Sequence, residues 1–219
     1  MLRKYDLIED LRERLSVAAR TELNVGLNRH LPNEYEQKSR QQSGVLILIK
    51  KDGDDMSVFF TQRSMNISHP GTWCFPGGRL EEQDNYSLIN TALREGQEEA
   101  GIPIDQLDVL GTLTPCHDRN HSLVTPVIAV IDSPFTPVLS LDEVMDSTEI
   151  PLQDVLNIEN HKTISTRHNG DFVLYRQFAH ERPGQDTVYI RGLTGGILNY
   201  FRHFTNKERG PLDYGHELP

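Results

Sequence analysis

Three glutamates near the middle of the chain are spaced so that they could hold a divalent cation. On a helix, a rotation of about 100° per residue places Glu95, Glu98 and Glu99 on one face about 100° wide. A separate face carries the apolar and small residues Ile89, Leu93, Gly96 and Ala100. Like charges this close repel, and Mg²⁺ or Mn²⁺ would neutralise them with oxygen ligands. A solvated acidic helix face is the alternative that the composition leaves open.

The residues before the helix could bring backbone atoms close to a metal or a phosphate. Gly77 and Gly78 predict a glycine turn there, although an ordinary turn has the same composition. The apolar stripe begins only at Leu88 or Ile89, so we expect a loop around residues 81–86. Within the helix, Arg94 precedes Glu98 by four residues, which predicts an ion pair.

This segment resembles the Nudix box, Gly-x5-Glu-x7-Arg-Glu-U-x-Glu-Glu-x-Gly-U, where U is apolar. The matching residues are Gly78, Arg94, Glu95, Glu98, Glu99, Gly101 and Ile102. Two departures are visible: Asp84 stands where the box has its first glutamate, and nine residues rather than seven separate it from Arg94. Gly96 occupies an apolar position. The resemblance implies a Nudix-type α/β/α sandwich with a mixed sheet.

Composition is consistent with a globular enzyme of that kind. The 219 residues predict a single domain over 1–219, with an N-terminal helical extension at 1–30 and a core at 43–204. A formal net charge of −10 disfavours nucleic acid and anionic membranes as partners. The two cysteines, Cys74 and Cys116, predict buried or half-buried free thiols. We see no targeting or membrane-spanning segment and expect a cytoplasmic protein.

Periodicity predicts the elements around the box. The predicted helices are 5–19 and 194–204, and the first of them could pack on the domain or support a homodimer. The predicted strands are 44–50, 58–62, 109–114, 124–131, 172–178 and 187–190. A turn is expected at 51–55 and a loop over 63–76. Residues 28–43 are polar and predict a connecting loop.

Segments outside the box resemble the coenzyme A pyrophosphatases. The matching stretches lie at 60–64, 69–71, 75–78, 124–127, 143–146, 150–152 and 190–197, so the resemblance covers about residues 43–204. Ser68 replaces the arginine of that subfamily's motif in a loop one residue shorter, and Arg191 replaces a tryptophan. Serine cannot supply the arginine's charge to a phosphate, so coenzyme A is a hypothesis.

The resemblance implies a role for each candidate site residue. Glu95, Glu98 and Glu99 would bind Mg²⁺ or Mn²⁺ together with the backbone carbonyl of Gly77, and Arg94 would orient Glu98. Candidates for the general base are Glu95 and Glu98 within the box and Glu143 or Asp146 outside it.

Arg63, His69 and Gly78 are the candidate substrate-binding residues. Arg63 could equally form a surface ion pair, and His69 could simply fix its loop. Trp73 could stack on an adenine, but the core is the expected place for it.

The sequence therefore predicts a metal-dependent Nudix pyrophosphatase that acts on coenzyme A or a related small-molecule nucleoside diphosphate derivative. The alternatives are a pyrophosphatase for ADP-ribose or a nucleotide sugar, and a Nudix-fold binding or regulatory protein without turnover.

Overall fold

The computed structural model describes residues 4–24, 41–118, 122–168 and 171–206. Backbone contacts group the chain into two compact units. The first comprises Met1–Asp55 and Pro76–Val138, and the second comprises Met56–Phe75 and Leu139–Pro219. A single domain over the whole chain stays a prediction, and the loop predicted at 28–43 lies mostly outside the described residues.

The helices among the described residues are α1 (Lys4–Asn24), α2 (Leu88–Ala100), α3 (Leu152–Leu156) and α4 (Gly192–Asn206). The strands there are β1 (Gln42–Asp52), β2 (Asp55–Arg63), β3 (Trp73–Cys74), β4 (Gly77–Arg79), β5 (Asp108–Thr112), β6 (Cys116–His117), β7 (Leu123–Ile131), β8 (Val144–Pro151), β9 (His161–His168), β10 (Asp171–His180) and β11 (Val188–Arg191). Short 3-10 helices cover Glu82–Asp84, Ile104–Gln106 and Ile158–Asn160.

The first unit is built on a mixed sheet. β1 and β7 run parallel, from the pair Gln42 and Leu123 to the pair Lys50 and Ile131. β4 pairs antiparallel with β1, and β5 and β6 pair antiparallel with β7. Each of β1 and β7 has a neighbour on both edges, and their aliphatic runs are buried, as is typical of central strands whose faces are covered. The mixed α/β fold expected from the sequence is confirmed.

Two helices cover strands of this sheet. α2 packs on β1, β4 and β7, and α1 packs on β5, where Leu15 lies against Gly111; Leu11 of α1 is also buried. Packing on its own unit is one of the two roles expected for α1. No helix among the described residues is long and apolar enough to cross a membrane.

The second unit holds antiparallel strands. β2 pairs with β3 and β8, and β9, β10 and β11 form a separate sheet with β10 in the middle. α4 packs on β10 and β11 through a stripe that includes Ile197, Leu198 and Phe201. The sequence predicted β2, β10, β11 and α4.

Several strands were not predicted from the sequence. The expected loop at 63–76 contains β3, and the expected turn at Gly77 and Gly78 is the strand β4. β8 and β9 were also missed, because their polar residues give no apolar run or clean alternation. Cys74 and Cys116 are free thiols, as predicted.

Candidate active site

The helix that carries the three glutamates has a defined start and end. The Ser87 hydroxyl accepts a hydrogen bond from the backbone N–H of Asn90, at 3.3 Å, and so caps the N-terminus of α2. Gly101, with φ of 64°, ends the helix in the left-handed region and donates its N–H to the carbonyl of Gln97. These signals begin α2 at Leu88, as the apolar stripe predicted.

Two of the three carboxylates converge. Glu99 is only 5% exposed, and the Glu95 side chain is 12% exposed. One carboxylate oxygen of Glu95 lies within 4.8 Å of one carboxylate oxygen of Glu99. Two carboxylates held this close out of water favour a bound cation, and an oxygen-only donor set suits a hard divalent ion. The residues on α2 therefore fit such a metal.

Glu98 is the most exposed of the three carboxylates. Its side chain is 54% exposed, and its carboxylate accepts a hydrogen bond from Nη1 of Arg94 at 2.8 Å. This is the ion pair that the four-residue spacing predicted.

Arg94 has a second, buried partner that the sequence analysis did not assign to it. Nε of Arg94 donates to Asp84 Oδ1 at 2.8 Å, and Nη2 donates to Asp84 Oδ2 at 3.1 Å. The bond from Arg94 lowers the pKa of Asp84 from 3.8 to about 2, and the same contact raises the pKa of Arg94. The sequence feature that could have identified this partner is the position of Asp84, which stands where the box has its first acid.

The two glycines before α2 allow close approach of the backbone. Gly78 pairs with Gly44 of β1, and a Cβ on Gly78 would lie 2.2 Å from Oε1 of Glu95. A Cβ on Gly77 would lie 2.5 Å from the carbonyl oxygen of Gly44. Only glycine leaves room for the Glu95 carboxylate against this strand.

Arg63 and His69 lie in the second unit, where both contribute to one loop. Nε of Arg63 donates to the Ser68 carbonyl at 2.8 Å, and Nη2 donates to the Ser68 hydroxyl at 3.3 Å. His69 is exposed with φ of 56°, and its carbonyl accepts a hydrogen bond from the Thr72 hydroxyl at 2.8 Å. Ser68, which stands where the coenzyme A motif has an arginine, thus accepts two hydrogen bonds from Arg63.

The candidate bases outside the box are exposed residues of the second unit. The Glu143 carbonyl accepts a hydrogen bond from the Ser64 N–H at 2.8 Å. Oδ1 of Asp146 accepts one from the Ser147 N–H, also at 2.8 Å. Trp73 is buried on β3, as expected, with the Arg182 guanidinium 5.7 Å from its ring.

The sequence model of the NUDIX domain family matches residues 40–183. The peroxisomal coenzyme A diphosphatase NUDT7 of Mus musculus is 31% identical over 197 residues, which cover 89% of this chain and 78% of that protein. The peroxisomal coenzyme A diphosphatase ndx-8 of Caenorhabditis elegans is 37% identical over 131 residues, 58% of this chain and 56% of that protein. The NudL protein of Citrobacter koseri, an uncharacterized Nudix hydrolase, is 32% identical over 74% of this chain and 82% of its own length.

Among solved structures, the Nudix hydrolase RenU of M. smegmatis matches with a TM-score of 0.46 and 24% identity, over 53% of this chain and 73% of that chain. The chain belongs to the Nudix family of hydrolases, whose members generally use divalent metal ions.

Proposed function

We propose that this protein is a pyrophosphatase dependent on Mg²⁺ or Mn²⁺ that hydrolyses the diphosphate linkage of coenzyme A or a related nucleoside diphosphate derivative. The observation that carries the proposal is the pairing of Glu95 with the buried Glu99 on α2, with one oxygen of each within 4.8 Å of the other. Two carboxylates this close are costly to hold together; Arg94 supplies one positive charge beside Glu95, and a divalent cation would supply more.

In this proposal, Glu95, Glu98 and Glu99 hold the metal together with the Gly77 carbonyl. The bound metal would neutralise the charge on the diphosphate and lower the pKa of an attacking water. Arg94 orients the carboxylates, because Nη1 lies 2.8 Å from Glu98 and 2.9 Å from Glu95. Glu95 and Glu98 are the general-base candidates in the box, and Glu143 and Asp146 remain the candidates outside it.

The substrate proposal rests on the two relatives named as coenzyme A diphosphatases and on the matching segments outside the box. Arg63, His69 and Gly78 are proposed to contact the substrate. Since Ser68 engages Nε and Nη2 of Arg63, only the remaining N–H groups of that guanidinium could bind a phosphate. A cytoplasmic location and a homodimer stay predictions.

A substrate panel tests the proposal. Coenzyme A, ADP-ribose and nucleotide sugars are assayed with Mg²⁺, with Mn²⁺ and after removal of metal by a chelator. We expect metal-dependent hydrolysis of coenzyme A at the highest kcat/KM. A preference for ADP-ribose or a nucleotide sugar would contradict the proposed coenzyme A substrate. Tight binding of these compounds without turnover would contradict the proposal that the protein is an enzyme.

Neutral substitutions test the metal ligands. Glu98→Gln and Glu99→Gln remove a ligand charge, and a loss of about 3 kcal/mol of transition-state stabilisation would lower kcat about 100-fold. Asp105→Asn, an exposed acid on the 3-10 helix after α2, is the matched control and should keep wild-type activity. Equal activity of all three variants would contradict the assigned roles.

A further inference from the structure

Asp84 is a charged side chain buried at the base of the candidate site. It is 2% exposed, and its carboxylate accepts the two bonds from Arg94 described above. It also accepts one from the Thr91 hydroxyl at 2.8 Å and one from the Glu81 N–H at 2.9 Å. One of these four bonds goes to Oδ1 and three go to Oδ2, so the position of this carboxylate is closely defined.

Arg94 connects this buried acid to the proposed metal ligands. One edge of the guanidinium, Nε and Nη2, faces Asp84, and Nη1 faces Glu95 and Glu98. Nη2 also donates to the carbonyl of Arg79 in β4, at 3.0 Å. A planar guanidinium that is fixed along one edge has a defined orientation along the other. Asp84 therefore determines where Nη1 lies relative to the two glutamates.

The chain reaches this arrangement with a shorter acid and a longer loop. Aspartate has one methylene fewer than glutamate, and the stretch between Asp84 and Arg94 has two residues more than the box. After the 3-10 turn at Glu82–Asp84, Asn85 and Tyr86 both adopt left-handed backbone, with φ of 53° and 59°. Non-glycine residues adopt this conformation at an energetic cost, and Tyr86 is 85% exposed, so burial does not offset it.

We infer that the shorter acid and the two additional residues compensate for each other. The left-handed pair Asn85–Tyr86 holds the loop in the path that brings the short Asp84 side chain to Arg94. Asp84 is then a positioning residue that acts on the metal ligands Glu95 and Glu98 through Arg94. This inference rests on the proposed function, whose metal ligands it concerns.

A double-mutant cycle tests the compensation. The variants are Asp84→Glu, a deletion of Asn85 and Tyr86, and the two changes combined. Each single change should weaken Mn²⁺ affinity and lower kcat by about 10- to 100-fold with little change in KM, as loss of an outer-shell partner does. The combined variant should recover most of both losses. Losses in the combined variant as large as the product of the single losses would overturn the compensation.

Milder substitutions test the positioning role with the loop intact. Asp84→Asn removes the charge at nearly constant volume, and Thr91→Val removes one of the bonds that hold the carboxylate. Both should lower Mn²⁺ affinity and kcat, with Asp84→Asn having the larger effect. Asn85→Gly relieves the backbone strain without moving the acid, so it should keep wild-type affinity. Wild-type Mn²⁺ affinity in folded Asp84→Asn would overturn the role.

Mn²⁺ binding is measured by titration calorimetry on the full chain, and folding is checked by circular dichroism. If the wild-type protein hydrolyses no diphosphate, the proposed function fails, but the Mn²⁺ titrations of the same variants still decide the inference.

Discussion

Glycine at position 78 illustrates how a single residue determines the geometry of the candidate site. The Glu95 carboxylate lies where a Cβ of residue 78 would be, 2.2 Å from Oε1. Any side chain would displace Glu95, which is also the carboxylate that pairs with Glu99. The geometry of the site therefore depends on the absence of a Cβ at residue 78 as well as on the charged groups.

Gly78→Ala should therefore lower activity more than stability. Moving the Glu95 carboxylate by about 1 Å should lower kcat and Mn²⁺ affinity by about tenfold or more. Gly53→Ala is the control: it lies in the turn between β1 and β2 at φ of 55° with open space around it, so it should cost stability without affecting kcat. Equal kcat in wild-type and Gly78→Ala protein would contradict this account.

The low pKa of Asp84 has a consequence for stability in acid. Because the bond from Arg94 lowers this pKa from 3.8 to about 2, the stabilisation is present above pH 4 and is lost as the pH falls towards 2. We expect the stability difference between wild-type protein and Asp84→Asn, measured by denaturant unfolding, to be large at pH 6 and to shrink through that window. A stability difference between the two proteins that is independent of pH would contradict this assignment to Asp84.

At the scale of elements, α2 must lie unusually close to β1 to bring Glu95 over β4. A Cβ on Gly44 would lie 2.4 Å from the Leu88 carbonyl oxygen and 3.0 Å from the Ala92 nitrogen, both of which are backbone atoms. A Cβ on Gly96 would instead lie 2.9 Å from a terminal methyl of Leu46. Backbone cannot yield locally, whereas a leucine methyl can rotate away.

Gly44→Ala and Gly96→Ala therefore form a matched pair in one interface. Gly44→Ala should destabilise the protein by about 1–3 kcal/mol, as overpacking does, and should lower kcat because α2 moves. In Gly96→Ala, the better helix propensity of alanine, about 1 kcal/mol, should offset part of the crowding. Thermal unfolding and kcat of both variants check the order, and a larger effect in Gly96→Ala would contradict the packing argument.

At the scale of the whole molecule, an acidic protein of net charge −10 carries a histidine that resists protonation. His161, at the start of β9, packs edge-on against Phe178 and contacts the Val155 carbonyl through Nε2 at 2.8 Å. Burial lowers the pKa of His161 from 6.5 to about 4, and Arg202, His203 and Arg176 add to the shift. Folding of the second unit therefore favours the neutral ring.

The low pKa of His161 predicts that stability falls with pH in a range well above the range set by Asp84. Its contribution to stability is complete above pH 6.5 and is lost as the pH falls from 6.5 to about 4, because the unfolded chain binds the proton more readily. The stability of His161→Gln should fall less steeply over this range in urea unfolding. Parallel curves for wild-type protein and His161→Gln would contradict the prediction.

The sequence alone determined the features that depend on local periodicity. The helical spacing of Glu95, Glu98 and Glu99, the pair of Arg94 with Glu98, and the start of α2 at Leu88 follow from neighbours within two turns. The aliphatic runs of β1 and β7 are long enough to identify a buried strand without knowing its partners.

Only the tertiary structure decided which distant groups meet. Asp84 and Arg94 are ten residues apart, and a 3-10 turn with two left-handed residues brings them together, which no period in the sequence encodes. β4 forms because Gly77 and Gly78 pair with Val45 and Gly44 of β1. Asp84 holds one edge of the Arg94 guanidinium, and Glu95 and Glu98 share the Nη1 nitrogen. Contacts of this kind depend on where the folded chain passes, so the sequence specifies them through the whole fold.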